Sequence, residues 1–224
     1  MTRDRNSGLA LIAGALGGIA TMAVHPSGRP NVTALQADHL VMASALVHSF
    51  AILSCVALFL GTVGLTIRLQ SGARQAMHLP FTALVVYGFS AVAVMIAGGL
   101  SGFVLPELMA RMARDVVSTQ QVYRLIISSL FQINQAFSRI YSVGGWLAIL
   151  FWSIAAWGYR DLRRTLSVYG FIVSPLMIAL LASGHVRLNI HGMGAVTVLQ
   201  AIWFLGAGMD MMAEHTFDAT KLHK

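Results

Sequence analysis

Leu40 to Ile67 reads LVMASALVHSFAILSCVALFLGTVGLTI, a run with no Asp, Glu, Lys or Arg and a single imidazole, His48. At 1.5 Å of rise per residue such a helix extends about 40 Å, beyond the roughly 30 Å hydrocarbon core of a bilayer. A long apolar stretch without charge reads as a transmembrane helix. Five more stretches follow the same rule, at about 8–24, 81–105, 138–157, 166–182 and 190–209. The expected fold is all-α: a polytopic membrane helix bundle with six transmembrane helices, one integral membrane domain over 1–224 whose first partner is the lipid bilayer.

Composition supports this. Hydrophobic residues make up 57% of the 224 and charged residues only 10%, where a soluble domain carries roughly 25% charged. The mean hydropathy is +0.72. The net charge of +7 sits at the ends of the apolar runs, and no basic cluster with interleaved aromatics is present, which excludes a nucleic-acid partner. The lone cysteine, Cys55, excludes an internal disulfide and a cysteine-based zinc site.

Arginine sets the orientation. With the N-terminal end inside, Arg3, Arg5, Arg68, Arg74, Arg160, Arg163, Arg164, Lys221 and Lys224 fall inside. Arg29, Arg111, Arg114, Arg124, Arg139 and Arg187 fall outside. The inner connections are short and dense in charge, so both termini are expected on the cytoplasmic side. The preference for arginine over lysine fits a GC-rich bacterial genome, hence a bacterial cytoplasmic (inner) membrane. Trp152, Trp157 and Tyr159 at the inner end of the fourth span read as interface anchors. The first span resembles a signal peptide in length, but Thr21-Met22-Ala23 is a poor cleavage site and a retained span is the reading taken. The sequon Asn31-Val32-Thr33 is better explained by Thr33 capping the next helix.

Two helices look too long for a simple crossing. Thr33 with Gln36 and Ser118 with Gln121 are capping boxes, and helices starting there would rise roughly 50–60 Å. They either tilt and project outward, or the fourth breaks near Gln132. Between the third and fourth spans, about 107–117 reads as an outer interfacial helix. Leu108, Met112 and Val116 share its apolar side, and Arg111 pairs with Asp115. Pro175 marks a place where the fifth span can kink. Gly14, Gly17, Gly18, Gly98, Gly102, Gly144 and Gly145 allow close helix packing within the bundle; a face for a homo-oligomer or a membrane partner is the alternative.

Function is expected in a polar layer near the outer ends of the spans. His48 lies 20 residues from Arg68 and His191 lies 19 from Asp210, each about 30 Å along its helix. Ser128, Gln132, Gln135, Arg139 and Ser142 follow three- and four-residue spacings, so they line one face of the fourth span. Ser44, His48 and Cys55 share a face of the second, whereas His39 points away; Asn189 and Gln200 align on the sixth. The candidate ligand site is therefore Arg139, Gln135, Gln132, His48 and His191, with Glu107, Asp38 or Asp115 available as counter-charge. A divalent metal could draw on His48, His191, His25 and His185, completed by Glu107 or Asp38, and a haem on His48 and His191.

The sequence carries no phosphate-binding glycine loop and no Gly-x-Ser-x-Gly elbow. Acidic residues are almost absent from the spans, with Asp210 at the inner rim, which argues against a carboxylate-based proton pump. The expected role is binding or transport of a small molecule or ion through an outward-facing polar pocket, without catalysis. Two alternatives stay open: a haem- or metal-dependent membrane enzyme, and a non-catalytic subunit of a membrane complex.

Overall fold

The structure is a computed structural model that describes residues 3–26, 34–71, 78–159 and 162–219. These form seven α-helices and one π turn, with no strand among them. In order they are α1 (Arg3–Ala23), α2 (Ala34–Ser71), α3 (Leu79–Gly99), the π turn (Leu100–Val104), α4 (Leu105–Arg114), α5 (Val117–Tyr159), α6 (Arg164–Ala182) and α7 (Ile190–Ala219). Six helical spans are long and apolar enough to cross a membrane, α3, the π turn and α4 counting as one. The chain is thus an all-helical, multi-pass membrane protein. The sequon and the side chain of Thr33 lie outside the described residues.

Helix α5 runs 43 residues without a break at Gln132, and α2 runs 38. Both are longer than a roughly 20-residue crossing. Most side chains of α5 before Asn134 are exposed, so this stretch projects from the bundle. The segment expected as a separate interfacial helix is α4, which follows α3 directly through the π turn. Arg111 pairs backward with Glu107 at 2.9 Å rather than forward with Asp115, because the helix ends there: Asp115 is already extended.

The π turn has a local cause. Leu105 N–H reaches back five residues to Leu100 O. The next rung would run from residue 106 to Ser101 O, but Pro106 has no N–H. A free carbonyl in an apolar bundle needs another donor, and Ser44 Oγ of α2 donates to it at 3.2 Å. Asn134 of α5 donates through Nδ2 to Ala97 O at 3.0 Å and also to Ser101 Oγ. Three helices are thus tied together at the irregular turn.

Helix α1 packs between α2 and α7 with no room to spare. A Cβ on Gly14 would stand 2.6 Å from Leu58 N, and one on Gly8 would stand 2.7 Å from Gly208 O. Such backbone contact replaces the hydrophobic effect as the source of association in lipid. The core is aromatic. Trp152 stacks on Trp203 at 5.9 Å, and Tyr87 and Phe204 pack around them. Two of the three buried indoles find acceptors: Trp152 donates to Thr66 Oγ1 and Trp203 to Ser153 Oγ, both at 3.1 Å, whereas Trp146 Nε1 has none among the described residues. Trp152 is therefore fully buried and not an interface anchor, since it supplies this core. Trp157 is exposed, with the Arg164 guanidinium 4.3 Å above its ring; the Tyr159 side chain lies outside the described residues. Helix α6 passes through Pro175 without ending. At the end of the bundle where α5 gives way to α6, the Asp210 carboxylate accepts from the Arg163 backbone N–H and Nε, each at 2.9 Å.

Candidate functional site

The residues expected at the site fall in different places. Arg139 and Gln132 are exposed on α5, and His191 is exposed at the start of α7. Gln135 is half-buried and donates to Leu188 O at 3.2 Å, joining α5 to the α6–α7 connection. His185 is exposed and bonds Ser183 Oγ at 2.7 Å. Asn189 caps α7 by accepting from Gly192 N–H at 2.9 Å. The carboxylates offered as counter-charges have other neighbours: Glu107 holds Arg111, Asp38 holds Arg114, and Asp115 lies near the Tyr123 hydroxyl. Among the described residues, no three His, Cys, Asp or Glu side chains converge as a metal centre would require.

His48 does lie inside, and its neighbour is His25. The two rings meet edge to face with centroids 5.0 Å apart. His48 Nδ1 lies 2.8 Å from Ser44 O. A carbonyl only accepts, so Nδ1 carries the proton and Nε2 is left with its lone pair. A side chain on Gly102 in the π turn would collide with His48, so glycine is what lets the turn press against this ring. His25 follows α1; burial pushes its pKa below the ordinary histidine value, and its Nδ1 is buried without a hydrogen-bond partner among the described residues.

The inward face of α5 carries Asn134, Ser138 and Ser142, all buried. Ser138 Oγ donates to Asn134 Oδ1 at 3.2 Å, and Ser142 Oγ to Ser138 O at 2.8 Å. Asn134 and Ser138 lie about 100°, one residue's turn, from Gln135 and Arg139, and of the five residues expected on that face Ser142 is the one that is buried on this line. The line ends at Gln200 of α7, whose Nε2 donates to Ser142 O at 3.4 Å.

Gln200 borders a partly open cavity of about 100 Å³ between α1, α2, α3, α5 and α7. The polar groups around it include those of Thr21, Ser54, Cys55, Tyr141, Thr197 and Gln200, with Leu58, Val94 and Phe204 among the apolar ones. Among the described residues, no Asp, Glu, Lys or Arg lines it. Gln200 is only 2% exposed, yet its Oε1 has no hydrogen-bond partner. A buried unsatisfied acceptor costs about 1–3 kcal/mol, and a ligand able to donate a hydrogen bond would relieve it. The cavity is smaller than one of about 150 Å³ that admits benzene, so it suits a molecule of a few heavy atoms. Thr21 lies one turn before His25 and Ala51 one turn after His48, which puts the imidazole pair at one end of the cavity.

The sequence reading missed Tyr87, Tyr141 and Asn134. The four-residue spacing of Asn134, Ser138 and Ser142 was the available signal, outweighed by the more polar neighbours on the adjoining face. Compared with known proteins, the chain matches no family model, no curated protein and no solved structure.

Proposed function

We propose that this is a bacterial cytoplasmic-membrane protein that binds, and in doing so transports, a small uncharged molecule inside its helix bundle, with its termini on the cytoplasmic side. The observation that carries the reading is Gln200 Oε1, an acceptor buried beside a cavity and left without a donor. Uncharged walls support an uncharged ligand, because a desolvated ion would meet no counter-charge there. The test compares n-butanol with 1-chlorobutane, a similar shape without the O–H, on purified protein in detergent. Butanol is expected to raise the unfolding temperature of the wild type relative to chlorobutane. Gln200→Leu is expected to unfold no earlier than wild type without ligand and to lose that difference. A Gln200→Leu variant that is destabilised yet keeps the butanol effect would sink the proposal.

One observation favours a second reading. A histidine whose Nδ1–H is held by a backbone carbonyl presents Nε2 as histidines that ligate metal do, and His48 does so beside His25. In this reading the pair holds a transition metal or haem whose other ligands come from outside the chain. Elemental analysis and an absorption spectrum of the purified protein decide it: no stoichiometric metal and no Soret band would remove it.

A further inference from the structure

We propose that the ligand is an amphiphile dissolved in the bilayer, which reaches the cavity at Gln200 sideways between α2 and α3. This rests on the cavity being a ligand site and adds the class of ligand and its route. A second hollow, of about 370 Å³, lies on the outer surface between these two helices. Its walls are almost entirely apolar, with Phe59, Val85, Phe89 and Met95 around Gly88, and again no charged residue lines it among the described residues. Cys55 lines both hollows.

Cys55 and Ala91 stand at the partition between them. Cys55 Sγ donates to Ala91 O at 3.9 Å, the weak bond expected of a thiol. A molecule coming from lipid would pass this thiol. On the far side of the cavity, unsatisfied Gln200 Oε1 waits for a donor. The fitting ligand therefore has an apolar tail for the outer groove and an uncharged head that donates a hydrogen bond. A long-chain alcohol is the simplest such molecule.

The experiment uses the full chain in liposomes and a hexadecanol bearing a photoactivated diazirine beside its hydroxyl, with labelled residues located by mass spectrometry. The wild type is expected to be labelled inside, on α7 around Gln200 and on Tyr141, as well as in the groove. Gly88→Leu fills the groove from the lipid side; its Cβ would meet only the Phe59 ring, at 3.4 Å, so the helices need not move. Cys55→Phe closes the partition itself. Each is expected to lower interior labelling by about tenfold, and Gly88→Leu carries the test if Cys55→Phe does not fold. Interior labelling that is absent in wild type, or unchanged in Gly88→Leu, overturns the lateral route. In that event a butanol effect that persists leaves the cavity reading standing, and one that is absent removes both.

Discussion

Asn134 allows the polar tie at the π turn to be measured directly. Its side chain makes three hydrogen bonds, to Ala97 O, Ser101 Oγ and Ser138 Oγ, and is 7% exposed. Hydrogen bonds between membrane helices average about 0.6 kcal/mol and reach about 1.7. Asn134→Leu is therefore expected to cost about 2 kcal/mol, tempered by the apolar surface the leucine buries. Ser101→Ala removes one of these partners, so the two changes together should cost less than their sum. The coupling expected for the pair is about 0.6–1.7 kcal/mol. Reversible unfolding of the four proteins in mixed micelles, followed by circular dichroism, gives the cycle. Additive single effects, with no coupling beyond error, would show that α5 is not joined to the π turn through Ser101, and that part of the account of the irregular turn would fall.

Other outcomes follow from the same geometry. Gly14→Ala should destabilise by about 1–3 kcal/mol, because the new methyl meets the α2 backbone, whereas Gly18→Ala meets only the Thr197 side chain at 3.5 Å and should be nearly neutral; thermal unfolding of the two variants checks the contrast. Asp210→Ala should cost about 1–3 kcal/mol, mainly through the orphaned Arg163 N–H since the Arg163 side chain is largely exposed, and Asp210→Asn should recover some of it. His25 has a lowered pKa when folded, so the folded state binds fewer protons there than the unfolded one. Its contribution is full above the ordinary histidine pKa and falls as pH drops through that value towards the folded one; the acid-side loss of stability should shrink in His25→Gln, and an unaltered pH profile would count against it. A fluorescent-protein reporter fused after α7 should fluoresce if that end is cytoplasmic, and a dark fusion with active periplasmic phosphatase would reverse the proposed orientation.

The spans were legible because their signal is cheap to read: uncharged runs of sufficient length, bounded by arginine. What escaped was azimuth. On α5 the Gln132–Arg139 face looked like the inside because its side chains are long and polar, yet length lets such residues remain at the surface. The true inner face is built from Asn134 and two serines. Serine in a membrane helix donates to its own preceding turn, as Ser142 does to Ser138 O, so it is easily taken for filler. Trp152 misled for the opposite reason. Its indole looked amphipathic, but the matching acceptor, Thr66 Oγ1, lies 86 positions away and no local pattern reveals it. His48 was recognisable from depth alone, while its contact with His25 depends on how α1 is seated between α2 and α7.

The turn at Leu100–Val104 accommodates one residue more than an α-helical turn does, and in doing so sets the heading of everything beyond it. Losing a single residue between Ser101 and Pro106 would wheel α4 about its axis by roughly 100°. Arg114 would swing away from Asp38, while Ser101 O would still want a donor, since Pro106 has no N–H at any spacing. A shortened chain could thus lose its π turn and yet be a worse protein, because the irregularity is what aims one half of the span at its neighbours.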